Sequence, residues 1–363
     1  MESLIINFIQ KHKEDWAGLL TAKKIEIKYD GDLAIFNYSI LADFSDPIVR
    51  EARGIIIDLR HMNVVCWPFT KFCNYNESYH DNIDWSTARI QDKIDGSLMK
   101  LYWYNNHWCI ATNGTIDADK ANVNGTNYTF GDLFRSAMLD VHLDLSILDC
   151  HNTYMFELIS PYNRVVCDYG DKITIWHIGT RNNQTGEELI EDIGIHKPNE
   201  YSLHSLEDCV AAAKKLNVVG NAITKEGFVV VDKDWHRIKV KSPEYVAMHH
   251  ILPNGEVNDE KLIDYIRNGL ADDIITYIPS LATRINDMKM RIATAELEML
   301  DYCKWNKIEV EDNKLSRADW AKHHNKDKWF KFGVKYIFDG VKLTFNDLTP
   351  KKYMRYLYNG YFK

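Results

Sequence analysis

The spacing of apolar residues divides the chain into a strand-rich first part and a helical second part. Apolar residues recur at near-helical spacing over residues 4–20, which predicts one opening helix. The chain then changes to short runs rich in β-branched and aromatic residues, separated by Asp-Gly or Asn-Asn turns, as is typical of antiparallel strands. These predicted strands cover residues 25–27, 33–36, 54–59, 64–68, 97–104 and 107–112.

Helical and extended patterns alternate further along the chain. The patterns predict helices at 132–148 and 206–216, strands at 154–159 and 173–179, and a hairpin at 227–231 and 237–241. After Pro253-Asn254-Gly255 the strand patterns stop, and helical spacing follows at 260–269, 272–278 and 280–305, with Ser280 as a cap. We therefore predict an α+β fold, with an antiparallel-sheet domain at residues 1–252 and a smaller, all-helical domain at 253–363.

Composition is that of a globular protein. The 363 residues are 45% hydrophobic and 26% charged, enough for a large core and for two domains. No apolar run is long enough to span a bilayer and the amino terminus does not resemble a secretory signal, so we expect an intracellular protein. The seven cysteines lack the close pairs of a zinc or redox motif, and the adjacent pairs His249-His250 and His323-His324 cannot face one metal together.

Charge is unevenly distributed. The net charge is -8, yet residues 281–363 carry 17 Lys and Arg against 11 Asp and Glu, so the carboxyl-terminal part is the basic end. Cations and aromatics are interleaved there at Trp320, Lys322, Lys326, Lys328, Trp329, Phe330, Lys331 and Lys335. Such a pattern could contact phosphates and stack unpaired bases, or form an amphipathic helix with its aromatics in the core. We favour the core for Trp320 and Trp329 and leave the lysines open.

Lysines carry the first candidate chemistry. The run Lys93-Ile94-Asp95-Gly96-Ser97 sets an amine nucleophile beside an acid, a flexible glycine and a hydroxyl. A lysine must lose its proton before it can attack, and neighbouring cations favour that loss; the candidates are Arg53, Lys71, Lys239 and Lys241. Lys239 and Lys241 are two residues apart, so on a strand both point to one face. The alternative is a solvated, lysine-rich edge strand.

Two glutamates lie within apolar strand sequence. Glu157 follows Tyr154-Met155-Phe156, and Glu226 precedes Gly227-Phe228-Val229-Val230. An unpaired carboxylate is costly to bury, so each needs a divalent metal, a ribose hydroxyl or a lysine as its partner. Mg²⁺ commonly binds through one or two carboxylates together with substrate phosphates. An outward-facing position for each glutamate is the alternative.

Taken in order, these motifs resemble those of the covalent nucleotidyltransferases, which comprise polynucleotide ligases and messenger-RNA capping enzymes. They are most similar to the bacteriophage RNA ligase 1 family of ATP-dependent, tRNA-repairing ligases, over about residues 30–250. The matching segments are Ile35-Phe36-Asn37-Tyr38, Arg53-Gly54, Lys71-Phe72, Asn74-Tyr75-Asn76-Glu77, and residues 93–97, 156–165, 226–229 and 239–245.

The resemblance implies an ATP-grasp-like ligase fold and a reaction. Lys93 would be adenylylated by ATP, with Mg²⁺ or Mn²⁺ as cofactor, and the AMP would pass to an RNA 5′-phosphate before a 3′-hydroxyl seals the strand. Implied catalytic residues are Lys93, Glu226, Lys239 and Lys241, and implied metal ligands are Glu157 and Glu226. Implied ATP-binding residues are Tyr38, Arg53, Lys71, Lys93, Gly96, Glu157, Glu226, Lys239 and Lys241.

The resemblance also implies partners. The expected substrate is RNA, either a nicked tRNA anticodon stem-loop or single-stranded RNA ends, bound by a monomer in the cytoplasm of a phage-infected bacterium, with no membrane partner. Residues 253–363 would recognise the RNA.

One departure and two alternatives remain. Relatives can show Ser-Lys-Gly-Ser where this chain has Thr112-Asn113-Gly114-Thr115, so a cation that could touch phosphate is absent at Asn113. DNA ligases and capping enzymes share the lysine motif, but they usually continue into an OB-type barrel where this chain predicts helices. A non-catalytic RNA-binding module would explain the basic end but leave Glu157 and Glu226 without a purpose.

Overall fold

The computed structural model describes residues 2–216, 224–243, 245–246, 259–269, 271–272, 275, 281–341, 348, 352 and 356–357. Two compact units divide the chain, residues 1–250 and residues 251–363. The first unit contains α1 (Leu4–His12), α2 (Trp16–Ala22), β1 (Ile25–Asp30), β2 (Leu33–Tyr38), α3 (Pro47–Glu51), β3 (Arg53–Asp58), β4 (Asn63–Cys66), β5 (Cys73–Asn74), β6 (Arg89–Lys93), β7 (Ser97–Tyr104), β8 (His107–Thr112), α4 (Phe130–Asp140), β9 (Asn152–Ile159), β10 (Thr174–Asn182), β11 (Glu188–Leu189), β12 (Glu200–Tyr201), α5 (Leu206–Ala213), β13 (Gly227–Val231) and β14 (Arg237–Lys241). Short 3₁₀ turns lie at Ala118–Lys120 and Leu145–Ile147. The second unit contains α6 (Asp259–Arg267), α7 (Ala282–Asn313), α8 (Arg317–His324) and α9 (Phe330–Phe338).

Three sheets build the described part of the first unit. Their strand orders are β1-β2-β3-β4, β11-β10-β9-β7-β8 and β12-β6-β13-β14-β5. The pairings are antiparallel, as predicted, apart from the parallel pair between β14 and β5. The α+β prediction is therefore confirmed.

The predicted opening helix is wrong in one respect. Two helices, α1 and α2, occupy residues 4–22, and the break falls at Lys13, whose φ of 44° ends α1. Apolar spacing continues across the break because Ile5, Ile9 and Leu20 all join the core beneath the first sheet. The apolar spacing thus indicates that α1 and α2 bury residues in the same core, and not that they form one continuous helix.

The predicted helix over 132–148 is also corrected. Helix α4 ends at Asp140, and His142 has a φ of 52°. Leu145 and Leu148 beyond it still pack into the same core as α4, which extends the apolar pattern past the helix. Strand β6 was not predicted because its residues are mostly polar, and only Ile90 among its buried positions is apolar.

The second unit is helical in the residues that the structure describes. Trp320 and Trp329 are buried, which confirms the core interpretation of these aromatics. Lys322, Lys328 and Lys335 form ion pairs with acidic neighbours at the surface. Pro253-Asn254-Gly255, after which the strand patterns stop, lies outside the described residues. The same holds for the predicted Ser280 cap and for all but two residues of the predicted 272–278 helix. No described helix is long and apolar enough to cross a membrane.

Candidate active site

The third sheet brings two of the predicted lysines onto one carboxylate. Gly227 on β13 lies opposite Lys93 on β6 and, on its other side, opposite Lys241 on β14. Glu226 directly precedes Gly227 and so enters between the two lysines. Lys93 Nζ donates to Glu226 Oε2 at 2.7 Å, and Lys241 Nζ contacts Glu226 Oε1 at 2.9 Å. Both oxygens of Glu226 are therefore occupied by lysines.

Burial separates the roles of these three side chains. The side chains of Glu226 and Lys241 are 3% and 5% exposed, whereas Lys93 is 21% exposed. Lys93 is therefore the member of the group that a substrate can reach. Strand β14 lies between β13 and β5, which excludes the edge-strand alternative for Lys239 and Lys241. The burial of Glu226 likewise excludes an outward-facing position for it.

Gly227 makes this close approach possible. Its φ of 151° disfavours other residues, and a Cβ added there would collide with the carbonyl oxygen of Val240 on β14. Any side chain at Gly227 would push β13 away from β14. The glycine thus sets the separation between Glu226 and Lys241.

The second sheet contributes Glu157, on β9. Its Oε1 accepts the N–H of Gly96 at 3.0 Å, and a Cβ at Gly96 would collide with the Leu158 carbonyl. Burial raises the pKa of Glu157 to about 7; Lys93 opposes the rise, and the charges of Glu226 and Asp95 add to it. Glu157 therefore lies near Lys93, and its carboxylate takes up a proton more readily than an ordinary glutamate does. A bound cation would favour the charged form of Glu157.

Asp95 was named only as part of a motif, but it holds two segments together. Its Oδ2 accepts the N–H groups of Val166 and Cys167 at 2.9 and 2.7 Å, and its Oδ1 accepts the hydroxyl of Tyr245 at 2.8 Å. The loop after β9 and the segment after β14 are therefore fastened to the residue two positions after Lys93. The acid in the Lys-x-Asp-Gly spacing was the only sequence signal for this role.

Tyr38 and Lys71, two of the residues that the resemblance implies for ATP binding, lie close to each other. Lys71 Nζ lies 5.5 Å from the Tyr38 ring centroid and 4.2 Å from that of Phe44. The two rings contact each other edge to face. This arrangement supplies aromatic surface and a cation within one small region.

Arg53 and Lys239 share another aromatic ring. The Arg53 guanidinium lies 5.4 Å from the Phe72 centroid, and Lys239 Nζ lies 5.3 Å from the same centroid. Lys239 and Lys241 project from the same face of β14. The Arg53 and Lys239 side chains around Phe72 therefore lie on the same side of β14 as the Lys93 group, which consists of Lys93, Glu226 and Lys241. Arg53 Nη1 is buried, and none of the described residues gives it a hydrogen-bond partner.

The two glutamates differ in how well they fit a divalent cation. Carboxylate oxygens are the ligands that Mg²⁺ prefers. Glu226 already has both oxygens in ion pairs, whereas Glu157 forms no ion pair within the described residues. Glu157 therefore fits a metal ion as it stands, and Glu226 would have to release a lysine first.

Comparison with known proteins assigns this site to a family. A family model described as RNA ligase matches residues 51–245, which include Arg53, Lys71 and the whole Lys93 group. The chain therefore belongs to this RNA ligase family, and the resemblance to the phage RNA ligase 1 type is confirmed.

Two proteins of similar sequence are named as RNA ligases. The chain is 34% identical over 286 residues to a protein of Autographa californica nuclear polyhedrosis virus named "Putative bifunctional polynucleotide kinase/RNA ligase", covering 72% of this chain and 40% of that protein. It is 25% identical over 281 residues to a Thermovibrio ammonificans protein named "Putative RNA ligase", covering 72% and 70%. The chain thus spans less than half the length of the viral relative. A solved archaeal ATP-dependent RNA ligase aligns with 14% identity and a TM-score of 0.45, covering 67% of this chain and 65% of that one.

Proposed function

We propose that the protein is an ATP-dependent RNA ligase that joins an RNA 5′-phosphate to a 3′-hydroxyl. Lys93 attacks the α-phosphorus of ATP and pyrophosphate leaves. A phosphoramidate bond forms between Nζ and the phosphorus of AMP, and the phosphoanhydride bond between the α- and β-phosphates breaks. The AMP then passes to the RNA 5′-phosphate, and the 3′-hydroxyl displaces it. The observation that carries this proposal is one partly exposed lysine that shares a buried carboxylate with a second, buried lysine.

The charged residues would act by position and neutralisation, which dominate displacement at phosphorus. Glu226 holds the Lys93 amine in place and accepts its hydrogen bond, so it is the nearest described group that could receive the proton before attack. Lys239, Lys241, Arg53 and Lys71 supply positive charge for the triphosphate and for the departing pyrophosphate. Tyr38 and Gly96 would border the bound nucleotide.

A divalent cation completes the proposal. When bound, Mg²⁺ or Mn²⁺ neutralises phosphate charge. Glu157 would hold it, directly or through water, because its carboxylate interacts electrostatically with Lys93 and forms no ion pair in the described part of the chain. Glu226 would join as a ligand only by giving up one lysine.

Labelling with radioactive ATP tests the first step. The protein incubated with Mg²⁺ and ATP labelled at the α-phosphate should become labelled, and ATP labelled at the γ-phosphate should not label it. Lys93→Ala should remove the label. Lys233→Ala is the matched control, because Lys233 is an exposed lysine on the β13–β14 hairpin with a long ion pair to Asp84. Labelled Lys93→Ala protein would refute the assignment of the nucleophile.

We further propose that residues 253–363 recognise the RNA, which would be a nicked tRNA anticodon stem-loop in preference to a plain single strand. The excess of basic residues in 281–363 supports this proposal. A monomer in the cytoplasm of a phage-infected bacterium belongs to the same proposal and rests on the family resemblance.

A fragment ending near residue 252 tests the second proposal. It should still adenylylate itself while losing the preference for the broken stem-loop. The ratio of stem-loop sealing to single-strand sealing should be compared for the full chain and the fragment. An equal ratio would show that residues 253–363 do not choose the substrate.

A further inference from the structure

Lys100, a lysine that the reaction above does not use, lies on the same sheet face as Glu157. Lys100 on β7 is opposite Met155 on β9, and Leu98, two residues earlier, is opposite Glu157. Residues directly opposite in a sheet point to the same side, and residues two apart on a strand do so as well. The Lys100 side chain therefore projects from the same face of the sheet as Glu157. It lies two residues along β7 from the position opposite Glu157.

Lys100 is buried, and no residue that the structure describes supplies it with an opposite charge. Its exposed fraction is 0%, and its Nζ donates to the carbonyl oxygen of Gly54 at 2.5 Å. Among the described residues, no carboxylate lies within ion-pair distance of Lys100 or of Arg53. Burial raises the pKa of the nearby Cys66 thiol, which therefore stays neutral and supplies no countercharge. Two neighbouring cations without a carboxylate are costly in a protein interior, and this is the arrangement expected of an anion site.

The Lys100 amine reaches the place where a cation is missing from the sequence motif. A Cβ added to Gly54 would lie 2.8 Å from Lys100 Nζ, 2.6 Å from the Asn113 carbonyl oxygen and 3.1 Å from Asn113 Oδ1. Lys100 Nζ, Asn113 and the Arg53-Gly54 segment therefore meet at one point. Asn113 is the position where relatives can carry a lysine. The amine that position lacks is thus delivered from the neighbouring strand, β7.

We propose that Lys100 Nζ binds the phosphate tail of ATP together with Arg53, and that it replaces the cation that is absent at Asn113. The inference rests on the proposed function and adds a phosphate-binding residue to it. Arg53 Nη1, which is buried and has no hydrogen-bond partner in the described part of the chain, supplies the second donor. On ATP binding, Lys100 would exchange its bond to the neutral Gly54 carbonyl for a bond to an anionic phosphate oxygen, which is the stronger of the two because both partners are charged.

Nucleotide binding separates this role from a structural one. The probes are α,β-methylene-ATP, which cannot adenylylate Lys93, and AMP, each titrated with Mg²⁺ by calorimetry. Lys100→Met should weaken α,β-methylene-ATP about tenfold to a hundredfold and leave AMP within about twofold, because only ATP carries the phosphate tail. Lys28→Met is the matched control, since exposed Lys28 also donates to a backbone carbonyl, that of Gly114, at 3.1 Å.

Moving the charge gives a second test. The double variant Lys100→Met/Asn113→Lys should recover the preference for α,β-methylene-ATP over AMP. Loss of the preference in Lys100→Met without recovery in the double variant would assign Lys100 to support of Gly54 and overturn the inference. An unchanged preference in Lys100→Met would overturn it as well. If the unchanged protein bound neither nucleotide, the proposed function itself would fail.

A third test uses the unchanged protein and so does not depend on whether a variant folds. Burial lowers the pKa of Lys100 to about 8; Cys66 opposes this fall and Arg53 adds to it, and Glu157 is the carboxyl on the same sheet face. Lys100 therefore loses its charge as the pH rises above 8. The preference for α,β-methylene-ATP over AMP should fall by up to about tenfold between pH 7 and pH 9. A preference that stays constant over this range would contradict the inference.

Discussion

Replacing Glu226 by Gln tests the proposal that one buried carboxylate organises both lysines. The change keeps the size of the side chain and one acceptor oxygen but removes the charge that faces Lys93 at 2.7 Å and Lys241 at 2.9 Å. Two buried or half-buried ammonium groups would lose their carboxylate. We expect both the stability of the fold and the rate of adenylylation to fall.

The size of the effect follows from burial. Removing one partner of a buried ion pair costs about 3–5 kcal/mol. Lys93 is 21% exposed and can turn towards water, and Gln still accepts one hydrogen bond, so we expect a loss of about 2–4 kcal/mol for Glu226→Gln. A fold stabilised by about 5–15 kcal/mol would survive this loss. The rate of Lys93 labelling should fall by about 10²–10³.

Glu200→Gln in the same sheet is the matched control. Glu200 on β12 pairs with Arg89 at 3.4 Å, but its side chain is 51% exposed, so its removal should cost no more than about 1 kcal/mol. Urea unfolding, followed by circular dichroism, measures the stability of both variants. Single-turnover labelling with ATP labelled at the α-phosphate measures the rate of adenylylation.

A double variant separates stability from chemistry. Glu226→Gln/Lys241→Met removes the stranded buried ammonium, so it should regain much of the lost stability while the labelling rate stays low. The reasoning would be refuted if Glu226→Gln lost no more stability than Glu200→Gln and labelled at the rate of the unchanged protein.

Three further predictions concern Glu157, Gly96 and Trp320. The pKa of Glu157 is raised in the fold from its ordinary 4.5 to about 7, so its charged carboxylate destabilises the fold increasingly as the pH rises through that range. In urea unfolding, the stability of Glu157→Gln relative to the unchanged protein should therefore rise by up to about 3 kcal/mol between pH 5 and pH 8. A difference in stability that does not change with pH would contradict this. Gly96→Ala should cost about 1–3 kcal/mol in thermal unfolding and slow labelling, because its Cβ meets the Leu158 carbonyl. Gly114→Ala is the control and should be neutral, because no atom of the described residues lies within 4 Å of a Cβ added there. Equal effects of the two changes would disprove the crowding at Gly96. Trp320→Phe should cost about 1–3 kcal/mol by removing the Nε1 hydrogen bond to Asn306 Oδ1 at 3.0 Å, and Trp305→Phe, at a 70% exposed position, serves as its control in the same measurement.

The sequence was most informative where local pattern and fold agree. The hairpin at β13 and β14 was predicted with its observed bounds, because apolar residues are dense in both strands and Asp232-Lys233-Asp234 marks the turn. Strand β6, which carries Lys93, was missed. Its pairing with β12 and β13 defines it, and no local apolar pattern records that pairing.

The candidate site shows the same division. The motif resemblance named Lys93, Glu226 and Lys241 as functional residues, but their meeting on one carboxylate depends on strand register between distant segments. Lys100 was not named, although a lysine within the apolar run Leu98-Met99-Lys100-Leu101-Tyr102 was a signal that the sequence offered. Its proximity to Gly54 and Asn113 is a tertiary fact that spacing along the chain does not contain.

The pairing of β13 with β6 and β14 around Gly227 also determines where the chain can change length. Inserting or deleting one residue in β14 before Lys239 would turn every later side chain of that strand to the opposite face, so Lys239 and Lys241 would leave the site together. The turn between the two strands is exposed in part and carries none of the site lysines. Natural variants of this protein are therefore expected to differ in length at residues 232–236 and to keep the spacing of residues 226–231 and 237–241 unchanged.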